Sequence, residues 1–122
     1  MNERLSSTQV VLLVIYAMAM AGGQLLFKTA ATRGAVPGGL AEQIVGLLFN
    51  RYFIVAVALY AALTVLWVWI LTFTPLSRAY PFVALAFALT PALGTLLFGE
   101  PMSSRLAIGI GLILCGLYFI AG

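Results

Sequence analysis

The fold of this chain depends on residues 74–105, which read TPLSRAYPFVALAFALTPALGTLLFGEPMSSR. An apolar run of about 20 residues, Ala79 to Phe98, is long enough to cross a bilayer. Pro81 and Pro91 lie inside it, and each removes a backbone hydrogen bond and crowds the preceding helical turn. In a membrane, neighbouring helices or water must satisfy the freed carbonyl groups. A span of this kind, bounded by charged residues, is better suited to line a cavity than to act as an inert anchor.

The composition is that of a protein that spans a membrane. Of the 122 residues, 64% are hydrophobic and 7% are charged, and the mean hydropathy is +1.16. A soluble domain carries about 25% charged residues, so only lipid can cover this much apolar surface. We therefore expect an all-α membrane protein with a single domain, residues 1–122.

The residues that most enzymes and metal sites use are scarce. The chain has no histidine, one cysteine and three acidic residues, which are Glu3, Glu42 and Glu100. These counts exclude an intrachain disulfide and a Cys/His metal site, and no nucleophile–base pair or phosphate-binding glycine motif is present. The six basic residues are spread along the chain, which is typical of membrane-flanking charges. We expect no enzyme activity, cofactor, metal or nucleic-acid partner.

Four apolar segments predict four membrane spans, at about 9–30, 52–73, 79–98 and 103–121. The first is long enough to be a retained helix rather than a signal peptide. Four spans place both ends of the chain on one side of the membrane. Lys and Arg are more frequent in loops one and three, which favours cytoplasmic loops and external termini.

A shorter amphipathic segment lies between spans one and two. Leu40, Ile44, Leu47 and Leu48 recur there at helical spacing. The segment is too short to span, so it predicts an interfacial helix in loop one. The alternative is an early extension of span two.

Spans one and two each carry a face with polar and aromatic residues at helical spacing. These faces consist of Tyr16, Met20, Gln24 and Lys28 in span one, and Tyr60, Thr64 and Trp67 in span two. They predict walls of a cavity, and Gly22-Gly23 permits close approach of a neighbouring helix. The alternatives are an interhelical hydrogen bond for Gln24, a Lys28 side chain that reaches water at the helix end, and simple packing of the span-two face. The short connection after Pro75 predicts an antiparallel hairpin of spans two and three.

Small residues form stripes on span four. They are Ala107, Gly111 and Cys115, spaced four apart, and Gly109 and Gly116, spaced seven apart. Ser103 or Ser104 is a candidate cap at the start of this helix. The stripes predict tight helix packing, either within the chain or against span four of a second chain. We expect a dimer through this helix, with a site shared between the chains.

Lys28 and Glu100 are expected to lie close enough to pair, directly or through water. Spans one and three run in the same direction, so their ends lie at the same membrane surface. An unpaired charge so close to hydrocarbon is costly, and pairing lowers that cost. The alternative is that each side chain reaches water separately.

Three motifs, in order along the chain, resemble those of the EamA-type drug/metabolite transporter superfamily. They are Gly23-Gln24-Leu25-x-x-Lys28 in span one, Pro75-Leu76-Ser77-x-Ala79-Tyr80-Pro81 before span three, and Gly99-Glu100-Pro101 with Ser103-x-Arg105 before span four. The four-span length resembles the small-multidrug-resistance-like branch, and within it the chain is most similar to undecaprenyl-phosphate-aminoarabinose flippase subunits. The resemblance implies a multi-pass transporter of the bacterial inner membrane that moves an undecaprenyl-phosphate-linked sugar for cell-envelope glycan or lipid A modification. It also implies a homodimer, or a heterodimer with a paralogous subunit.

One position departs from the proton-coupled exporters of that superfamily. Those proteins carry a membrane-embedded Glu eight residues before the matching Lys, and the corresponding residue here is Met20. The resemblance therefore implies a carrier of a lipid-linked sugar rather than a proton-coupled exporter of cations. The alternatives are an exporter of a small solute or drug, and a non-transporting subunit of a glycan-modifying membrane complex.

The expected substrate contacts follow from the chemistry of a sugar phosphate. Phosphate requires cations, and a sugar requires aromatic faces and hydrogen-bonding groups. The candidates are Gln24, Lys28, Tyr60, Thr64, Trp67, Arg78, Tyr80, Glu100 and Arg105.

Overall fold

A computed structural model of the chain describes residues 5–34 and 36–121, the side chain of Ala121 excepted. Within these residues there is no strand, which confirms the predicted all-α class. The helices are α1 (Ser7–Arg33), α2 (Leu40–Leu48), α3 (Arg51–Leu71), α4 (Leu76–Ala79), α5 (Val83–Phe98) and α6 (Ser104–Ala121), and a short 3₁₀ turn, Tyr80–Phe82, joins α4 to α5.

Three segments of the described chain are long and apolar enough to cross a membrane. They are α1, α3 and the continuous segment Leu76–Phe98, whereas the apolar part of α6, Ser104–Ile120, is shorter. The outer surface carries many large apolar side chains, and Leu96 and Phe119 are 78% and 81% exposed. A soluble monomer rarely leaves so much apolar surface uncovered, so lipid or another membrane helix must cover it.

Side-chain hydrogen bonds fix the start of α1. Ser6 and Gln9 form a reciprocal cap, in which each side chain accepts a hydrogen bond from the backbone N–H of the other. The Gln9 amide also donates to the Phe73 carbonyl at 2.8 Å and to the Thr74 hydroxyl at 3.1 Å. Gln9 therefore ties the start of α1 to the turn that follows α3.

Asn50 separates α2 from α3. Its Oδ1 accepts hydrogen bonds from the N–H groups of Tyr52 and Phe53, at 2.8 and 3.3 Å, and so caps α3. The predicted loop-one helix is confirmed as a separate element, and its alternative, an early extension of span two, is wrong. The apolar side of α2 remains uncovered, with Leu40 exposed at 74%.

The third span changes helix type at its first proline. Pro81 lies in the 3₁₀ turn between α4 and α5, whereas Pro91 lies inside α5. The predicted interruption is therefore found at Pro81. At Pro91 the helix continues, although the carbonyl of Phe87 loses its helical donor because proline has no N–H.

Helix α1 lies at the centre of the packing. It contacts α3 on one side and α5 on another, while α6 packs mainly on α5. The chain reverses after α3 as the sequence predicts, but α3 and α5 pack against α1 rather than along each other. Helices can approach α1 closely because Ala17, Ala21 and Gly23 are among its buried residues.

Replacing Gly23 with alanine should loosen the contact between α1 and α3. A Cβ atom at Gly23 would lie 2.5 Å from Cε2 of the Tyr60 ring, whereas a Cβ atom at Gly22 would meet nothing within 4 Å. We expect Gly23→Ala to lower the free energy of unfolding by about 1–3 kcal/mol, the usual range for overpacking. Thermal unfolding in detergent measures this, with Gly22→Ala as the matched control. Equal stability of the two variants would contradict the tight seat of Tyr60.

Candidate functional site

An ion pair lies where the ends of the first and third spans meet. Lys28 Nζ and Glu100 Oε2 are 3.3 Å apart, and the two side chains are 45% and 48% exposed. The sequence-based prediction that these residues lie close enough to pair is confirmed. Both groups are accessible from outside the chain while neutralising each other.

Two glycines bring Glu100 to Lys28. Gly99 ends α5 with a φ of 66°, a left-handed conformation that side chains disfavour, and it turns the chain back at Glu100. Gly94 provides the space for the carboxylate, because a Cβ atom there would lie 2.6 Å from Glu100 Oε1. A side chain at Gly94 would therefore displace the carboxylate from its position.

One turn before Lys28, Gln24 belongs to a polar network between α1 and α3. The Tyr60 hydroxyl donates to the Met20 carbonyl at 2.8 Å and accepts a hydrogen bond from Gln24 Nε2 at 2.9 Å. The Tyr60 ring also stacks on Phe27 at 5.3 Å between centroids. The interhelical hydrogen bond considered for Gln24 is therefore present, and it holds the amide at the edge of the cleft described next.

A cleft of about 350 Å³ opens beside the ion pair, between α1 and α5. Gln24, Lys28, Thr90 and Glu100 supply its polar lining. This volume lies within the range of about 300–1,000 Å³ that is usual for small-molecule sites.

A second cleft, of about 360 Å³, adjoins the first and shares Gln24 and Thr90 with it. Its other lining residues, which include Met20, Phe87 and Pro91, are apolar. The two clefts together form a groove, which we call the α1–α5 groove. It is charged at one end and apolar further along, an arrangement suited to an amphiphile with an ionic headgroup.

Three of the predicted site residues, Trp67, Arg78 and Tyr80, lie toward the other end of the bundle. The Trp67 ring is 5.0 Å from that of Tyr16 and 6.3 Å from that of Tyr80, between centroids. Tyr16 precedes Lys28 by twelve residues, about 18 Å along a helix. Arg78 also belongs to this end and donates to the Ile120 carbonyl at 2.7 Å, so that it ties α4 to the last turn of α6.

The remaining candidates have other neighbours. The Thr64 hydroxyl donates to the Tyr60 carbonyl one turn back in its own helix, at 2.8 Å. Arg105 lines a separate cleft between α5 and α6, on the far side of Phe87 and Pro91. Of the nine residues that the sequence suggested, the structure thus brings Gln24, Lys28 and Glu100 to one cleft, with Tyr60 behind Gln24.

The residues that α5 contributes to this cleft were not among the predicted site residues. Thr90 and Gly94 line it together with Phe98. The three are spaced four apart, so the signal was one face of α5, but nothing in the sequence identified α1 as its neighbour.

The small residues of the α6 stripe are not among the residues that line this cleft. A Cβ atom at Gly109, Gly111 or Gly116 would meet nothing within 4 Å, and Cys115 is exposed. The predicted cap is found at Ser103, whose hydroxyl accepts from the N–H of Leu106 at 3.1 Å.

Comparisons with known proteins found relatives but no matching family model and no matching solved structure. The chain is 30% identical over 115 residues to a probable 4-amino-4-deoxy-L-arabinose-phosphoundecaprenol flippase subunit ArnE of Enterobacter sp. (strain 638), covering 92% of this chain and 95% of the relative. It is 30% identical over 110 residues to the ArnE of Serratia proteamaculans (strain 568), covering 90% and 92%. With the ArnE of Sodalis glossinidius the identity is 29% over 105 residues, covering 86% and 89%.

These matches confirm the resemblance found in the sequence. Together with the long apolar helices, they make the chain a multi-pass protein of the bacterial inner membrane. At 30% identity over nearly the whole of both chains, the protein belongs to the family of ArnE flippase subunits.

Proposed function

We propose that this chain is a subunit of a flippase that moves an undecaprenyl-phosphate-linked amino sugar across the inner membrane. The observation that carries the proposal is the accessible Lys28–Glu100 pair at the charged end of the α1–α5 groove. The relatives named as ArnE subunits support this substrate class. The proposal requires binding and movement only, so no bond of the substrate is made or broken.

The lipid named in the relatives carries the two charges that this ion pair complements. It has a phosphate and a 4-amino group, which is cationic when protonated. The phosphate would bind Lys28 and the ammonium would bind Glu100, so that each side chain exchanges its partner within the cleft. An exposed ion pair contributes only about 0–1 kcal/mol, so a headgroup can separate it at little cost.

The apolar part of the groove would accommodate the start of the undecaprenyl chain. Met20, Phe87 and Pro91 line this part, which is continuous with the polar cleft through Gln24 and Thr90. The rest of the tail can remain in the surrounding lipid. A proton-coupled export of cations fits less well, because Met20 provides no acidic group within the first span.

For the assembly, we propose that α6 crosses the membrane as the fourth span and packs against α6 of a second chain. Its length, Ser104–Ala121, is close to the roughly 20 residues that a span requires. The open space around Gly109, Gly111 and Gly116 supports close approach of a neighbour, either a second copy or a paralogue. Basic residues lie at the end of α1 and at the starts of α3 and α6, on the side of the bundle that holds the ion pair. Their position supports a cytoplasmic location for the ion pair.

Single substitutions in the ion pair should separate the two charges of the headgroup. Lys28→Gln should weaken binding of both bare undecaprenyl phosphate and the aminoarabinose-linked lipid by about tenfold or more, because a charged hydrogen bond is lost. Glu100→Gln should weaken binding of the aminoarabinose-linked lipid alone, and should strengthen binding of the bare phosphate by removing its competitor. Lipid binding to the purified protein measures both. If neither variant changes the affinity for either lipid, the cleft is not the headgroup site.

Exchanging the two charges should preserve the fold but not transport. Lys28→Glu combined with Glu100→Lys keeps an ion pair but moves the positive charge from α1 to position 100, just after α5. We expect normal expression and thermal stability with loss of flipping in proteoliposomes that contain the required partner chain. Full flipping by the exchanged variant would contradict an ordered headgroup site.

Because position 20 holds a methionine and not an acidic residue, we expect no proton-driven transport of quaternary ammonium compounds. Proteoliposomes with an imposed pH gradient test this, because a lipophilic cation has no embedded counter-charge in the first span. We expect its uptake to equal that of empty vesicles. Robust efflux dependent on the pH gradient would favour the exporter instead.

A larger residue in the α6 stripe should weaken assembly without disturbing the chain itself. A Cβ atom at Gly116 would meet nothing within 4 Å in the chain, and the same holds at Gly22, so Gly22→Leu serves as the control for Gly116→Leu. We expect only Gly116→Leu to reduce co-purification of differently tagged copies or of a paralogous subunit. A monodisperse monomer in both mild detergent and native membranes would contradict the dimer.

A further inference from the structure

Two guanidinium groups converge on one tyrosine where α1 ends and α3 begins. Arg33 Nη1 lies 3.4 Å from the Tyr52 hydroxyl, and Arg51 Nη2 lies 3.2 Å from the same oxygen. The Arg51 guanidinium also lies 5.0 Å from the centroid of the Tyr52 ring. Both cations are thereby held beside a single acceptor.

The backbone around the two arginines is itself fixed. Asn50 packs so closely on Gly34 that a Cβ atom at Gly34 would overlap its amide nitrogen. Asn50 also caps α3, and the rings of Phe27 and Phe53 lie 6.2 Å apart between the same two helices. The residues next to Arg33 and Arg51 are therefore locked to each other across the ends of loop one.

Neither arginine has a carboxylate partner in the described chain. Glu100 pairs with Lys28, and the Glu42 carboxylate lies against Gly39 at the start of α2. The start of α3 adds the partial positive charge of a helix N-terminus at Arg51. Two close cations without an anion repel each other, so an added anion would stabilise this end of the bundle.

The position of the arginines indicates the kind of anion. Arg33 and Arg51 flank loop one, whose helix α2 exposes the apolar side chains of Leu40, Ile44 and Leu48. A short amphipathic helix between two spans lies at the membrane surface, at the depth of the lipid headgroups. Arg33 is five residues beyond Lys28, about 140° around α1, and so belongs to the α3 side rather than to the α1–α5 groove.

We propose that Arg33, Arg51 and Tyr52 form a binding site for the phosphate of an anionic phospholipid of the surrounding bilayer. The site is separate from the headgroup cleft and does not depend on the proposed function. Two guanidinium groups can together satisfy a phosphodiester, with the tyrosine hydroxyl as a third donor once a phosphate replaces it as their acceptor. Lipid bound there would anchor loop one at its leaflet.

Native mass spectrometry of the full chain with equal amounts of phosphatidylglycerol and phosphatidylcholine tests this site. We expect preferential retention of phosphatidylglycerol, and a fall in that preference of about thirtyfold in Arg33→Gln/Arg51→Gln, because each basic residue near a membrane surface contributes about 1 kcal/mol. As a control, Lys28→Gln/Arg105→Gln also removes two positive charges on the same side of the bundle. This variant should keep the preference for phosphatidylglycerol. If gel filtration shows that the first variant fails to fold, Arg33→Gln alone should lower the preference by about fivefold.

Undecaprenyl phosphate forms the second arm of the experiment. Its binding should fall when Lys28 is replaced and stay unchanged when the two arginines are replaced. Binding of phosphatidylglycerol should fall only when the arginines are replaced. Equal retention of the two phospholipids, an equal fall in both double variants, or loss of undecaprenyl phosphate only in the arginine variant would overturn the proposal.

Discussion

The ring of Tyr60 rests on Gly23, and this contact sets the relation of α1 to α3. It places the Tyr60 hydroxyl on the Met20 carbonyl and the Gln24 amide on that hydroxyl, so that polar groups in the middle of the span satisfy one another. Membrane helices require such pairing because lipid offers no hydrogen bonds. With one side of α1 occupied by α3, the side that carries Lys28 is left to face α5 and Glu100.

The two charged sites near the end of α1 differ in a way that follows from their partners. Lys28 is neutralised by Glu100, so a ligand there must exchange with an existing ion pair and gains most if it carries both charges. Among the described residues, Arg33 and Arg51 share the Tyr52 hydroxyl as acceptor and have no carboxylate partner, so the proposed ligand there needs only a negative charge. In both places partial exposure keeps the cost of charge low and the groups accessible, whereas fully buried charges would be expensive.

Much of this architecture was predictable because membrane proteins obey a strong constraint on composition and length. The helical class, the separate loop-one helix and the proximity of Lys28 to Glu100 follow from apolar runs, spacing and the direction of the spans. The order of helices around α1 does not, because every span is apolar on most of its surface. Thr90 and Gly94 were missed for this reason, and the contact of Arg78 with Ile120 depends on how α6 folds back.

Lys28 and Glu100 form an ion pair in this structure, and we propose that a bound headgroup separates them. A carbodiimide converts a lysine and a carboxylate in direct contact into an amide with loss of one water, which mass spectrometry of the digested protein locates. We predict a cross-link between Lys28 and Glu100 in nanodiscs without substrate, and its suppression by the aminoarabinose-linked undecaprenyl phosphate but not by phosphatidylglycerol. If no cross-link forms without substrate, or if saturating substrate leaves it unchanged, the Lys28–Glu100 pair is not the headgroup site.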